Sequence, residues 1–187
     1  MTIETPKFEV LQKDGKFEIR KYQEYINASV EIEADFNDAL GKGFGILADY
    51  IFGNIRAKTN IKMTAPATEQ VLRSQKIEMT APVTSAKVGE DKKYLISFTM
   101  PSKYTLETLP EPVNQTISIN KVAPHKAAVL KFSGYLNQRT ISKKIQDIEG
   151  WLKKNNLIAI SDFIIAQYNP RWIPGPFRKN EIIAELL

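Results

Sequence analysis

A single histidine, His125, and no cysteine stand among the 187 residues of this chain. Disulfides, thiolate zinc sites, iron–sulfur clusters and cysteine nucleophiles are excluded by that count, as are two-histidine metal sites. Methionine is the remaining soft donor. Met63 and Met79 hold matching places in two near-copied segments, Ile61-Lys62-Met63-Thr64-Ala65-Pro66 and Ile77-Glu78-Met79-Thr80-Ala81-Pro82. A methionine so placed fills a core gap far more often than it binds a metal. His125 follows Pro124 at the start of a strand-like run and reads as a surface or edge histidine. Glu69, Glu78 and Glu111 lie near proline-flanked strands, and nothing in their spacing pairs them as general acid and base. The expectation is a chain with no catalytic constellation and no metal site.

Binding chemistry is better represented. The segment Arg171-Trp172-Ile173-Pro174-Gly175-Pro176-Phe177-Arg178-Lys179 puts two aromatic residues on a proline-restrained loop flanked by cations. Two readings stand side by side: a lid over a flat aromatic ligand, with Arg171, Arg178 or Lys179 meeting carboxylates, or a hydrophobic plug closing the end of a barrel. A helical stretch from about Phe36 to Phe52 carries Gly41, Gly43 and Gly45. Each interior helical glycine costs about 0.5–1 kcal/mol relative to alanine. Three in five residues therefore serve either close packing on a sheet or a side-chain-free face for a planar ligand. Gly41, Gly45 and Ala48 follow at steps of four and three and form one small-residue strip beside Phe44.

The elements that must position these groups follow from periodicity. Phe36, Leu40, Phe44, Leu47 and Ile51 mark one face of the first helix, with Asp35 as N-cap and Gly53-Asn54 as the stop. A second helix runs from near Thr140 to near Lys154, with Ile141, Ile145, Ile148 and Leu152 as its apolar stripe and Trp151 as a core residue. At an offset of about 100 residues Tyr25, Ala28, Val30 and Ile32 align with His125, Ala128, Leu130 and Phe132, all on strand-like alternation. The chain reads as two similar halves, about 8–99 and 115–187, each strand, helix, strands, in one unit over 1–187. Further strands are expected at 61–64, 77–82, 94–100, 115–119, 163–166 and 181–186, and a proline-bearing connection at 102–114. About eight strands and two helices predict an α+β fold with a curved sheet or barrel.

Composition narrows the partners. The net charge is +5, but the basic residues are spread out, with no cationic stripe interleaved with aromatics, so nucleic acid is not expected. A mildly positive chain favours an anionic small ligand. No apolar run approaches the ~20 residues of a membrane span, and Met1–Pro6 has neither a basic nor an apolar leader region. A cytoplasmic monomer is expected.

Seven segments in order resemble the SOUL/haem-binding protein family: Met63-Thr64-Ala65-Pro66, Lys76–Val83, Met100-Pro101-Ser102-Lys103-Tyr104, Leu109-Pro110-Glu111-Pro112, Phe132-Ser133-Gly134, Tyr168-Asn169-Pro170 and Arg178-Lys179-Asn180-Glu181. The likeness runs from about Glu18 to the C-terminus. It implies a distorted eight-stranded β-barrel of curved antiparallel sheets, in two pseudo-symmetric β-α-β halves with one long helix each, shared with gyrase-inhibitor-like domains. The implied activity is reversible, non-enzymatic binding of haem or another tetrapyrrole. One branch of the family is proposed to use an axial histidine in an Arg-His-Tyr stretch, which here reads Arg20-Lys21-Tyr22. The other is thought to bind without axial ligation, through an apolar patch and basic residues on the first helix and through the loop before the last strand. Gly41 and Asp49 occupy the helix positions expected to be basic, and Ile173 replaces one expected lysine. The expected site is therefore Gly41, Phe44, Gly45 and Ala48 on the helix, covered by Trp172 or Phe177, with Arg178 and Lys179 for carboxylates. It should take haem or metal-free porphyrin without a strong axial ligand. The alternative is a cleft protein, a hydrolase or a sensor acting on another planar aromatic molecule. A weaker third reading is a protein-interaction module.

Overall fold

The computed structural model describes residues 4–53, 55–56, 77–89, 92–169 and 172–187. The expected strand at 61–64, and with it Met63, lies outside the described residues, as do Asn54, Glu69, Pro170 and Arg171. A hairpin opens the chain: β1 (Phe8–Asp14) and β2 (Phe17–Tyr22). β3 (Tyr25–Glu33) leads into α1 (Phe36–Phe52), then β4 (Ile55–Arg56), β5 (Val83–Lys87), β6 (Lys93–Thr99) and β7 (Glu111–Pro112). β8 (Ser118–Val122) and β9 (His125–Ser133) precede α2 (Gln138–Lys154), followed by β10 (Ile164–Gln167) and β11 (Lys179–Glu185).

Nine strands form one curled antiparallel sheet in the order β1-β2-β9-β11-β10-β5-β6-β3-β8, and β4 and β7 make a separate two-stranded ribbon. This is the expected α+β architecture with two long helices. The order β3-β6-β5 with α1 mirrors β9-β11-β10 with α2, and β5 pairs with β10 at the centre. The leading strands are exchanged. β2 is two residues from β3 in the chain yet pairs with β9, and β8 is two residues from β9 yet pairs with β3. These crossings fold the two ends of the sheet toward each other and give it a concave and a convex face.

Strand alternation assigns side chains to the faces. On the convex face Ala28, Val30, Ile96 and Phe98 pack with Leu40, Leu47, Tyr50 and Ile51 of α1. Ala128, Leu130, Ile165 and Ile182 pack with Ile141, Ile148, Trp151 and Leu152 of α2. Trp151 is the core residue expected: it stacks on Phe17 with ring centroids 5.0 Å apart, and its Nε1 donates to Asp14 at 2.8 Å. Asn137 caps α2 by accepting from the Thr140 amide at 2.8 Å, so the helix starts two residues earlier than the apolar stripe alone predicts. Asp35 sits at the N-cap of α1 without a side-chain hydrogen bond.

Three local expectations are corrected. Residues 77–82 are irregular rather than a strand: Ile77 is buried, Ala81–Pro82 is a cis bond, and regular pairing starts only at Val83. Met79 is 44% exposed, so it is no core filler. The strand expected at 115–119 lies at Ser118–Val122, because Asn114 holds the turn before it, accepting from the Thr116 amide at 3.0 Å. The connection at 102–114 is anchored: Leu109 is buried against the α1 cluster, and the Tyr50 hydroxyl donates to the Pro110 carbonyl at 2.6 Å.

The glycines of α1 divide between the two readings. A Cβ on Gly43 would stand 2.5 Å from Cγ1 and 2.7 Å from Cβ of Ile96, so this glycine lets the helix backbone lie on the sheet. A Cβ on Gly45 would meet nothing within 4 Å. Gly43→Ala should destabilise by about 1–3 kcal/mol, because Ile96 is β-branched and buried and cannot retreat. Gly45→Ala should stabilise by about 0.5–1 kcal/mol through helix propensity. Urea denaturation of the two variants reads both signs.

Candidate functional site

Four of the residues expected to bind a ligand lie together on the outer side of α1. Gly41, Phe44 and Gly45 are exposed and Ala48 is half-buried. Phe44 is 39% exposed and meets Phe98 edge-on, with ring centroids 5.3 Å apart, so it stands at the border of the core rather than in it. The strip is thus an open apolar shelf with backbone accessible at Gly45.

The other four lie on the β10–β11 connection. Trp172 and Phe177 are 79% and 74% exposed, so neither is buried as a plug closing the end of the sheet. The loop is held by its own chemistry. A Cβ on Gly175 would fall 2.5 Å from the Tyr135 ring, Arg178 stacks on that ring at 4.7 Å, and its Nε donates to the Ile173 carbonyl at 2.7 Å. The Lys179 amide donates to the Asn169 side chain at 2.6 Å, leaving its exposed side chain at the start of β11. The loop packs on β9 and on Tyr135 just beyond its end, whereas α1 packs on β3 and β6. Registry places the start of β11, like the C-terminal half of α1, at the Val83–Thr99 end of the sheet. Shelf and loop therefore share an end of the molecule, seated on different strands.

The concave face holds a charged cluster that pattern reading missed. Arg20, only 1% exposed, forks onto Glu181 with bonds of 2.7 and 3.0 Å, and its Nε donates to Glu18 at 2.8 Å. It also donates to the Tyr22 hydroxyl at 3.0 Å. Tyr168 donates to Glu181 at 2.6 Å, and Lys131 donates to Glu18. Phe8 lies over the guanidinium, with the ring centroid 4.1 Å away. Glu18, Arg20 and Tyr22 alternate along β2 with Phe17, Ile19 and Lys21, and Glu181 opens the run Glu181-Ile182-Ile183-Ala184. A lone acid in a buried apolar strand, matched with a charged alternating strand, was the available signal.

The ionisation states follow. Burial opposes the Arg20 charge, but the bonds from Glu181 and the charges around it hold its pKa above the usual arginine value. Burial pushes the Tyr22 hydroxyl up to about 12 despite the adjacent Arg20 charge. Burial, reinforced by the Glu181 charge, also raises Tyr168, and burial raises Tyr25. These tyrosines stay protonated at neutral pH, with Tyr168 donating to Glu181 and Tyr22 accepting from Arg20. Burial works against Glu18 ionisation too, yet bonds from Lys131 and Arg20 hold its carboxyl below the usual 4.5. The unfolded chain therefore takes up this proton first as pH falls. The Glu18 contribution is full above about pH 4.5 and is lost as pH drops through the lowered folded value. Glu18→Gln should be less stable at pH 7 and should lose less further stability on acidification, as read by urea melts at several pH values.

Among the described residues no group of three or more His, Asp or Glu side chains is placed to hold a metal ion. His125 is half-buried at the edge of the concave face, stacked on Tyr22 at 5.2 Å, with Nδ1 2.9 Å from the Ala123 carbonyl. Lys21 is exposed on β2. No helix among the described residues is long and apolar enough to cross a membrane.

A nine-stranded curled sheet with two helices on its convex side, built on an exchanged repeat, defines a barrel-like α+β architecture. The SOUL heme-binding protein family matches residues 3–185, and this chain belongs to that family. It is 25% identical over 162 residues to human heme-binding protein 2, covering 83% of this chain and 73% of that protein. Its fold is similar to that of the EcmrR C-terminal domain, with a TM-score of 0.61, 12% identity and coverage of 91% and 96% of the two chains. It is similar as well to a hydrolase from Listeria innocua, with a TM-score of 0.59, 10% identity and coverage of 95% and 94%. At such identities these two structures speak to fold alone.

Proposed function

We propose that this chain reversibly binds haem or metal-free porphyrin, without catalysing a reaction, on the shelf formed by Gly41, Phe44, Gly45 and Ala48. The observation that carries this reading is the contrast between Gly43 and Gly45. One glycine is needed for packing, while the other leaves open space beside an exposed phenylalanine on the same helix. Membership of a haem-binding family supports the ligand class. The residues fit a porphyrin's flat apolar faces better than they fit an axially held iron. A shelf contact of ~200–300 Å² is worth several kcal/mol at ~25 cal/mol per Å², before the costs of association. Trp172 or Phe177 would cover the outer face by offset stacking, with Arg178 and Lys179 near the propionates.

Trp172→Ala should weaken porphyrin binding several-fold while moving the melting temperature by no more than ~2 °C, because an exposed loop residue contributes little to folding. Titration followed by the Soret band, beside a thermal melt, reads both. This reading takes the chain as one cytoplasmic, monomeric unit spanning 1–187. Its two halves should then unfold in a single transition, and sedimentation should give a 21.2 kDa species.

A further inference from the structure

The concave face carries a second feature, unconnected with the α1 shelf. A cavity of about 50 Å³ is walled by Tyr22, Tyr25, Asn27, His125 and Tyr168, with Thr84, Ile164 and Ile183 beneath. A neighbouring cavity of about 380 Å³ opens at the end of the sheet. The two share Thr5, Pro6, Tyr25 and Thr99 as lining residues. The partition between them is the N-terminal segment. It is tied down by Glu4, whose carbonyl accepts from the Ala81 amide at 2.9 Å and whose carboxylate accepts from the Ser102 amide at 3.0 Å. The Lys7 carbonyl accepts from Gln23 at 2.9 Å, and Phe8 then covers Arg20 and Tyr22.

Asn27 Oδ1 is buried on the wall of the smaller chamber with no hydrogen-bond partner among the described residues. A buried acceptor left unpaired is costly and calls for a donor. Among the described residues no Asp, Glu, Lys or Arg lines this chamber, and behind Tyr22 and Tyr168 the charges of Arg20 and Lys131 are offset by Glu181 and Glu18, so nothing there calls for a charged ligand. With the partition displaced, the joined space falls in the roughly 300–1,000 Å³ range of small-molecule sites.

We infer that residues 4–8 form a displaceable strap over a second binding site, which takes an uncharged flat aromatic molecule carrying an N–H or O–H donor for Asn27. The aromatic walls supply stacking, Asn27 selects the donor, and strap opening sets the apparent affinity.

Indole and benzofuran, alike in shape but differing in the N–H, test this by NMR titration of the full chain. Indole should bind and show NOEs to the rings of Tyr25 and His125, and benzofuran should bind at least fivefold more weakly. Asn27→Leu should abolish the indole NOEs while leaving porphyrin titration unchanged, since that site is on the other face. Glu4→Ala/Pro6→Gly should tighten indole several-fold by loosening the strap. The inference is overturned if wild-type protein shows no indole NOEs to these rings, if benzofuran binds equally well, or if loosening the strap leaves indole affinity unchanged. The wild-type spectra decide the site even where a variant folds poorly.

Discussion

Replacing Arg20 with methionine is expected to cost about 3–5 kcal/mol of folding stability, a drop in melting temperature on the order of 10 °C. Glu181 would lose both of its arginine bonds, and Glu18 would keep Lys131 as its cation. A buried carboxylate without its cation carries its desolvation cost unopposed. The double variant Arg20→Met/Glu181→Leu should recover much of the loss, because no orphaned charge remains at position 181. Urea denaturation of wild type, both singles and the double gives the coupling directly. A single variant losing less than about 1 kcal/mol would mean that water reaches the cluster and that it does not hold the concave face together.

The second large effect concerns the shelf. Gly45→Leu should fold at least as well as wild type, since the new side chain meets open space and leucine is the better helix former. It should nevertheless weaken porphyrin binding at least tenfold by occupying the surface proposed for the ring. That separation of folding from binding is what distinguishes a ligand shelf from a packing feature. A folded Gly45→Leu protein that binds porphyrin normally would place the ligand elsewhere.

What the sequence made legible was local or repeated. The row Phe36, Leu40, Leu47 and Ile51 located α1 to the residue, and the offset of about 100 located β3 against β9, because both signals are periodic within short windows. Phe44 belonged to the same row, yet sits at the core's edge, since a 3.6-residue repeat drifts around the helix and Gly43 takes the place nearest the sheet. The near-copies around Met63 and Met79 suggested strands, but the second copy runs irregularly through a cis proline bond and regular pairing starts only at Val83. The exchange of β2 and β8 left no local trace, because each pairs with a strand about 100 residues away in the chain. The Arg20–Glu181 fork, 161 residues apart, depends on that exchange and was illegible for the same reason. The shelf residues were legible as small and apolar, while their exposure became known only once the sheet covered the opposite side of α1.

The proposed mode of binding, in which this SOUL-family chain holds a tetrapyrrole by its apolar faces and without an axial ligand, turns on whether the iron matters. The direct measurement is a side-by-side titration with haem and with metal-free protoporphyrin, each followed by its Soret band. Both should saturate at one ligand per chain, with affinities within about tenfold, or about 1.4 kcal/mol, and with no change on His125→Ala or Lys21→Ala. A haem preference well above tenfold that disappears with either substitution would contradict it, because the iron would then be held by a side chain and the shelf would not be the main source of affinity.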